Sequence, residues 1–219
     1  MDYTVRIKEI KPVTHDVSYF RVSKPAGYQY IPGQATDLSI SKPDWKDEKR
    51  PFTFTSLNES PYLEFTIKRY ADHHGVTDQL HQLSVGQELI ISDPWGAINY
   101  QGPGYFIAGG AGITPFMAIL RQLHQSGDLD DNKLFFSNKT SKDIIYQEEL
   151  SNMLSDRVSF VLTREGVGRS KRIDDEFLKE EGVDFSRHFY VCGPDNMILD
   201  INALLESKGV RPELLVFEK

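Results

Sequence analysis

The chain has 219 residues, 39% of them hydrophobic and 26% charged, a balance that suits a soluble globular protein of one large or two small domains. A formal net charge of −7 argues against a general nucleic-acid binder and against attraction to an anionic membrane surface. Cys192 is the only cysteine, which excludes an internal disulfide, a four-cysteine zinc site and a cysteine-held iron–sulfur cluster within this chain.

The first residues, Met1-Asp2-Tyr3-Thr4-Val5-Arg6, contain no apolar signal core, and no run approaches the ~18 apolar residues of a membrane span, so a cytoplasmic protein is expected. From Tyr3 to Asp93 the pattern is one of strands: Tyr3, Val5 and Ile7 alternate, 17–22 is rich in β-formers, and Leu63, Phe65 and Ile67 alternate again. Turn signals at 24–27, 32–33, 41–44 and 58–61 separate them. Short strands at this spacing predict a small antiparallel barrel. A short helix is predicted over about 77–83, with Thr77 as its cap and Leu80 and Leu83 on one face.

Arg50-Pro51-Phe52-Thr53-Phe54-Thr55-Ser56 is the sharpest stretch of this half. As a strand it presents Arg50, Phe52 and Phe54 on one face and Thr53 and Thr55 on the other. A planar cofactor with a phosphate tail could use both faces, the ring lying on an aromatic and the phosphate pairing with the guanidinium. The plainer alternative is a barrel strand with two core phenylalanines and a surface arginine.

Beyond a breaker cluster at 101–104 the pattern changes to alternating strand and helix, which divides the chain into residues 1–101 and 102–219. Strands are predicted at 105–108, 133–138, 158–163, 188–192 and 214–217, and helices near 115–125, 146–154, 174–180 and 195–207, giving a doubly wound parallel five-stranded α/β sheet. The first strand runs into Gly109, Gly110 and Gly112 and then Thr114-Pro115. Thr114 is the expected N-cap and Pro115 the first helical residue, so the turn offers backbone N–H groups and a helix N-terminus to a phosphate. Pro115 stands at the third glycine position of the usual dinucleotide fingerprint. Cys192-Gly193-Pro194 ends a later strand just before another helix.

Taken in order, these motifs resemble the ferredoxin–NADP reductase family of flavoproteins over nearly the whole chain. Arg50-Pro51-Phe52-Thr53 resembles the family's flavin motif, Ile31-Pro32-Gly33-Gln34 its Pro-Gly-Gln turn, and Gly75-Val76-Thr77 the end of its flavin-pyrophosphate loop. Asp93-Pro94-Trp95-Gly96 is similar to the turn that closes its barrel, the 109–115 turn to its nucleotide loop, and Cys192-Gly193-Pro194 to its nicotinamide-side motif. Phe52 replaces the usual tyrosine, and His74 stands where glycine is common.

The resemblance implies a flavin-binding antiparallel β-barrel followed by an NAD(P)-binding domain. By the same carry-over, Arg50, Phe52, Thr53, Lys68, Gly75, Val76 and Thr77 would hold the flavin, FAD with FMN as the alternative. Gly109, Gly110, Gly112, Thr114, Cys192 and Gly193 would hold the nucleotide, with the Thr53 hydroxyl near flavin N5 and Cys192 and Glu218 lining the nicotinamide. Thr163-Arg164-Glu165 resembles the family's element for the 2′-phosphate, and Arg169, Lys171 and Arg172 follow it, so NADP(H) is favoured over NAD(H). The implied activity is hydride transfer from NAD(P)H to bound FAD and single-electron release to a separate acceptor, by a monomer. That acceptor would be a ferredoxin, a flavodoxin or an oxygenase component, or else a small molecule. A free-flavin reductase, an electron-transfer subunit of an oxygenase and a flavin-binding sensor without turnover are the alternatives.

Overall fold

The computed structural model describes residues 1–96, 98–129, 131–165 and 172–217. It forms two compact units, one from Met1–Gly96 together with Thr114–Gln122, the other from the rest of the chain.

The first unit is a six-stranded antiparallel sheet of β1 (Asp2–Pro12), β2 (Val17–Ser23), β3 (Ala35–Ile40), β4 (Arg50–Thr53), β5 (Tyr62–Lys68) and β6 (Glu88–Ser92), in the order β4-β3-β6-β1-β2-β5. A bridge between Phe54, one residue past β4, and Phe65 of β5 nearly closes this sheet into a barrel. Alternation accounts for the interior: Val5, Ile7, Phe20, Leu38, Phe54 and Phe65 all point inward and are buried. β5 departs from the pattern, because Glu64 and Thr66, on its polar face, are buried as well.

Between β5 and β6 lies α1 (Val76–Leu80). It begins earlier than the predicted 77–83, with Gly75 as its N-cap and Thr77 inside the first turn. The preceding 3₁₀ turn, Ala71–His73, ends on His74 in the left-handed conformation at φ 46°, which brings extended Gly75 to the cap position.

The second unit carries β7 (Gly104–Gly109), β8 (Lys133–Asn138), β9 (Val158–Leu162), β10 (His188–Cys192) and β11 (Leu215–Phe217), all parallel and ordered β11-β10-β7-β8-β9. The connecting helices are α2 (Thr114–Ser126), α3 (Gln147–Leu154), α4 (Asp175–Glu180) and α5 (Asp195–Ser207). This is a doubly wound parallel sheet, as expected, in which the chain winds outward from β7 first to one side and then to the other. The first nine residues of α2 belong to the first compact unit. Thr114 is not the N-cap of α2: a 3₁₀ turn over Gly110–Ile113 runs straight into the helix, Ile113 is the cap residue, and Pro115 sits in the first turn. No helix among the described residues is long and apolar enough to cross a membrane.

Candidate functional site

In the barrel, β4 pairs with β3 through Thr53 opposite Ala35 and Arg50 opposite Leu38. Phe54 is fully buried and stacks on Tyr30 with centroids 4.1 Å apart, so it is a core residue. Burial pushes the Tyr30 hydroxyl well above its ordinary pKa, keeping it a neutral donor to the Ser56 carbonyl at 2.9 Å. Phe52, two residues earlier on the same face, is half-buried against that core and keeps part of its ring accessible. Arg50 is exposed, with Nη1 donating to the Lys49 carbonyl at 2.7 Å and Nη2 3.3 Å from Glu48 Oε2. Exposed ion pairs of this kind are weak, so Arg50 is available to a phosphate. The hydroxyl face turns the other way: Thr53 Oγ1 donates to Thr114 Oγ1 at 2.9 Å.

At α1 the backbone fits a phosphate. No side chain caps the helix, which leaves leading N–H groups without that partner. Val76 is buried, while Gly75 and Thr77 are half-buried. The left-handed backbone at His74 gives a reason for glycine to be common at this position, since glycine adopts it without a Cβ clash. Lys68 is engaged within the barrel, with Nζ 3.0 Å from Asp16 Oδ2.

The glycine-rich turn is set by close backbone approach. A Cβ on Gly112 would lie 2.3 Å from the carbonyl oxygen of Cys192, and Gly110 has φ +51°. Only glycine lets the turn after β7 lie on the end of β10 in this way. Gly109 is the last residue of β7, and Cys192, buried, the last of β10, with Gly193 directly after it. The two sequence motifs that end these strands are thus brought together, and the turn fits the phosphate of a dinucleotide.

At the next strands along, the Thr163 amide donates to the Asn138 carbonyl and the Arg164 amide to the Lys139 carbonyl, both at 2.9 Å. Glu165 Oε2 accepts from the Ser141 amide at 3.0 Å. These bonds hold Arg164 at the C-terminal edge of the sheet with its side chain exposed, and Arg172 is exposed too. Arg169, Lys171 and Glu218 lie outside the described residues.

Two residues that sequence reasoning passed over stand behind Thr53. Glu64 accepts from Thr55 Oγ1 and Arg121 Nη1, each at 3.0 Å, and from Arg21 Nε at 2.9 Å. Arg121 also donates to the Thr55 carbonyl at 2.5 Å. The available signal was weak: Arg121 lies seven residues after Thr114 and hence on the same helix face.

The geometry agrees with relationships to known proteins. The oxidoreductase FAD-binding domain family matches residues 4–100, and the oxidoreductase NAD-binding domain family matches residues 106–203. The reductase component of propane 2-monooxygenase from Rhodococcus jostii (strain RHA1) is 26% identical over all of this chain and 63% of its own length. The reductase subunit of glycine betaine monooxygenase from Pseudomonas aeruginosa (strain UCBPP-PA14) is 30% identical over 94% of this chain and 61% of its own. The chain therefore spans less than two thirds of the length of these two relatives. A ferredoxin NADP+ reductase from Neisseria gonorrhoeae, solved with bound FAD and NADP, superposes with a TM-score of 0.81 at 20% identity, covering 99% of this chain and 98% of that one. With these two family domains in this order over nearly its whole length, the chain belongs to the flavoprotein oxidoreductases that join an FAD-binding to an NAD-binding domain, in the fold of the ferredoxin–NADP reductases.

Proposed function

We propose that this chain takes a hydride from NADPH onto FAD and releases the electrons singly to a separate acceptor, an oxygenase component or a small electron-carrier protein. The flavin, when bound, supplies the exchange between two-electron and one-electron chemistry. The protein supplies binding, alignment and electrostatics. Arg50 pairs with the flavin phosphates, Phe52 lies against the ring system, and the N–H groups from Gly75 to Thr77 take the pyrophosphate. The turn from Gly109 to Thr114 takes the nucleotide, Cys192 and Gly193 line the nicotinamide, and Arg164 and Arg172 meet the 2′-phosphate.

The observation that carries this reading is the Thr53–Thr114 hydroxyl pair. Thr53 commits its proton to Thr114 at 2.9 Å, so its lone pairs are left to accept a hydrogen bond at flavin N5. A hydroxyl fixed in this sense favours the protonated N5 formed by reduction. The reductase components among the relatives support an oxygenase component or electron carrier as acceptor over free flavin.

An anaerobic absorbance titration tests the proposal. The purified chain should bind FAD with a yellow spectrum that NADPH bleaches. A chain that binds no added FAD, or binds it and leaves it oxidised with both NADPH and NADH, refutes the reading.

A further inference from the structure

Thr53 and Thr55 share one face of the strand that begins with β4, about 7 Å apart at the rise of an antiparallel strand. Thr114 and Arg121 share one face of α2, two turns or about 10.5 Å apart along its axis. Helical side chains lean toward the N-terminus, and the length of an arginine closes the difference. Two parallel ties result. The Thr53 hydroxyl meets Thr114 Oγ1 at 2.9 Å, and Arg121 Nη1 meets the Thr55 carbonyl at 2.5 Å and Glu64 Oε1 at 3.0 Å.

Glu64 anchors the second tie. Its side chain is 3% exposed, and its other oxygen accepts from Arg21 Nε at 2.9 Å. A buried carboxylate between two arginines adds little stability compared with a well-packed apolar cluster of similar volume. Its distinct property is direction: hydrogen bonds hold their partners to a few tenths of an ångström, whereas apolar packing against a helix face permits slip and rotation.

We infer that Arg121 and Glu64 are positioning residues for Thr53, fixing the rotation and height of α2 against the β4 strand so that Thr114 receives the Thr53 proton. Neither residue touches the reacting atoms; both act through Thr114 and Thr53. The inference rests on the hydride-transfer reading above, in which the direction of the Thr53 hydroxyl matters.

The test compares Arg121→Gln, Arg121→Lys and Glu64→Gln with the parent, each as the full chain loaded with FAD. FAD content and the KM for NADPH should stay within about twofold. The rate constant for anaerobic flavin reduction should fall roughly tenfold or more in Arg121→Gln and Glu64→Gln, as expected of misalignment of about 1 Å or less. Arg121→Lys keeps the charge but lacks the planar fork, and should recover only part of the rate. Hydrogen exchange, measured without nucleotide, should quicken in 114–122 of the variants and not in β6.

Folded variants that reduce their flavin within twofold of the parent overturn the inference, as does loss of FAD on gel filtration at parental exchange rates. If Arg121→Gln does not fold, Glu64→Gln decides alone, since it keeps the shape but removes the charge that holds Arg121 and sets an amide nitrogen, which cannot accept, against Arg21 Nε. A parent left oxidised by NADPH and NADH defeats the proposed reaction and this role together; a reduced parent matched by its variants defeats this role only.

Discussion

In the proposed reaction, Thr53 is where one atom's orientation has the largest consequence. Replacing it with valine preserves the strand and removes the hydroxyl that Thr114 accepts from. Losing one aligned transition-state hydrogen bond costs about 10²-fold in rate. Thr53→Val should therefore slow anaerobic flavin reduction by about that factor at nearly unchanged FAD content, and stopped-flow rates within twofold of the parent would reject the role. Arg164, proposed to meet the 2′-phosphate, is exposed at the edge of the sheet. One charge-assisted contact to a 2′-phosphate, screened by salt, should give roughly tenfold discrimination. Arg164→Ala should accordingly lower kcat/KM for NADPH and leave NADH nearly untouched, and an equal loss with both nucleotides would contradict a 2′-phosphate contact. Arg50, Thr53 and the glycines stand out as candidates in the sequence because each sits in a short motif whose residue types suit a phosphate or a ring. Glu64 and Arg121 do not. A charge on the polar face of a strand reads as solvated until something covers it, and Glu64 is 2% exposed.

At the scale of elements, α2 followed from apolar residues at helical spacing, Phe116, Ile119, Leu120 and Leu123, all of them buried. α1 begins earlier than expected because its cap is Gly75, which has no side chain to signal the role, while Thr77 has the side chain but sits in the helix. β3 and β6 are not singled out by pattern: the runs Thr36 to Ile40 and Leu89 to Ile91 lack strict alternation. α1 also carries a testable pH dependence. Its C-cap, His81, has both ring nitrogens buried without a partner and meets the Phe20 ring edge-on at 5.5 Å. Burial lowers its pKa, the Arg69 charge adds to that, and Asp78 and Asp16 oppose it. The unfolded chain then binds a proton near the ordinary histidine value of about 6.5 while the folded chain does not. This contribution is complete above that value and is lost as pH falls from there toward the folded pKa. Thermal melts should show the parent losing more stability than His81→Phe between pH 7 and 5; equal losses would mean that His81 does not titrate in the barrel.

For the whole molecule, the change from alternating to helical periodicity near residue 105 made the order of the two architectures readable, because a barrel and a doubly wound sheet bury their apolar residues at different spacings. Each unit has its own core, one around Phe20, Phe54 and Phe65 and the other around Ile107, Phe135 and Val191. Each can therefore form its half of the cofactor complement. Composition then limits how electrons can be stored. A hydride carries two electrons, and a single cysteine cannot ligate a cluster to store either of them. A cysteine-held cluster in the electron path must lie outside these 219 residues, and the proposed reaction makes one bound flavin the electron store within them. One equivalent of NADPH per bound FAD should then bleach the flavin completely under anaerobic conditions. Reoxidation should consume two equivalents of a one-electron acceptor such as ferricyanide. Both end points are read from the flavin absorbance during stepwise addition. A requirement for more than one equivalent of NADPH, with NADPH oxidation continuing after the flavin is bleached, would reveal a second electron store in the chain and overturn this account.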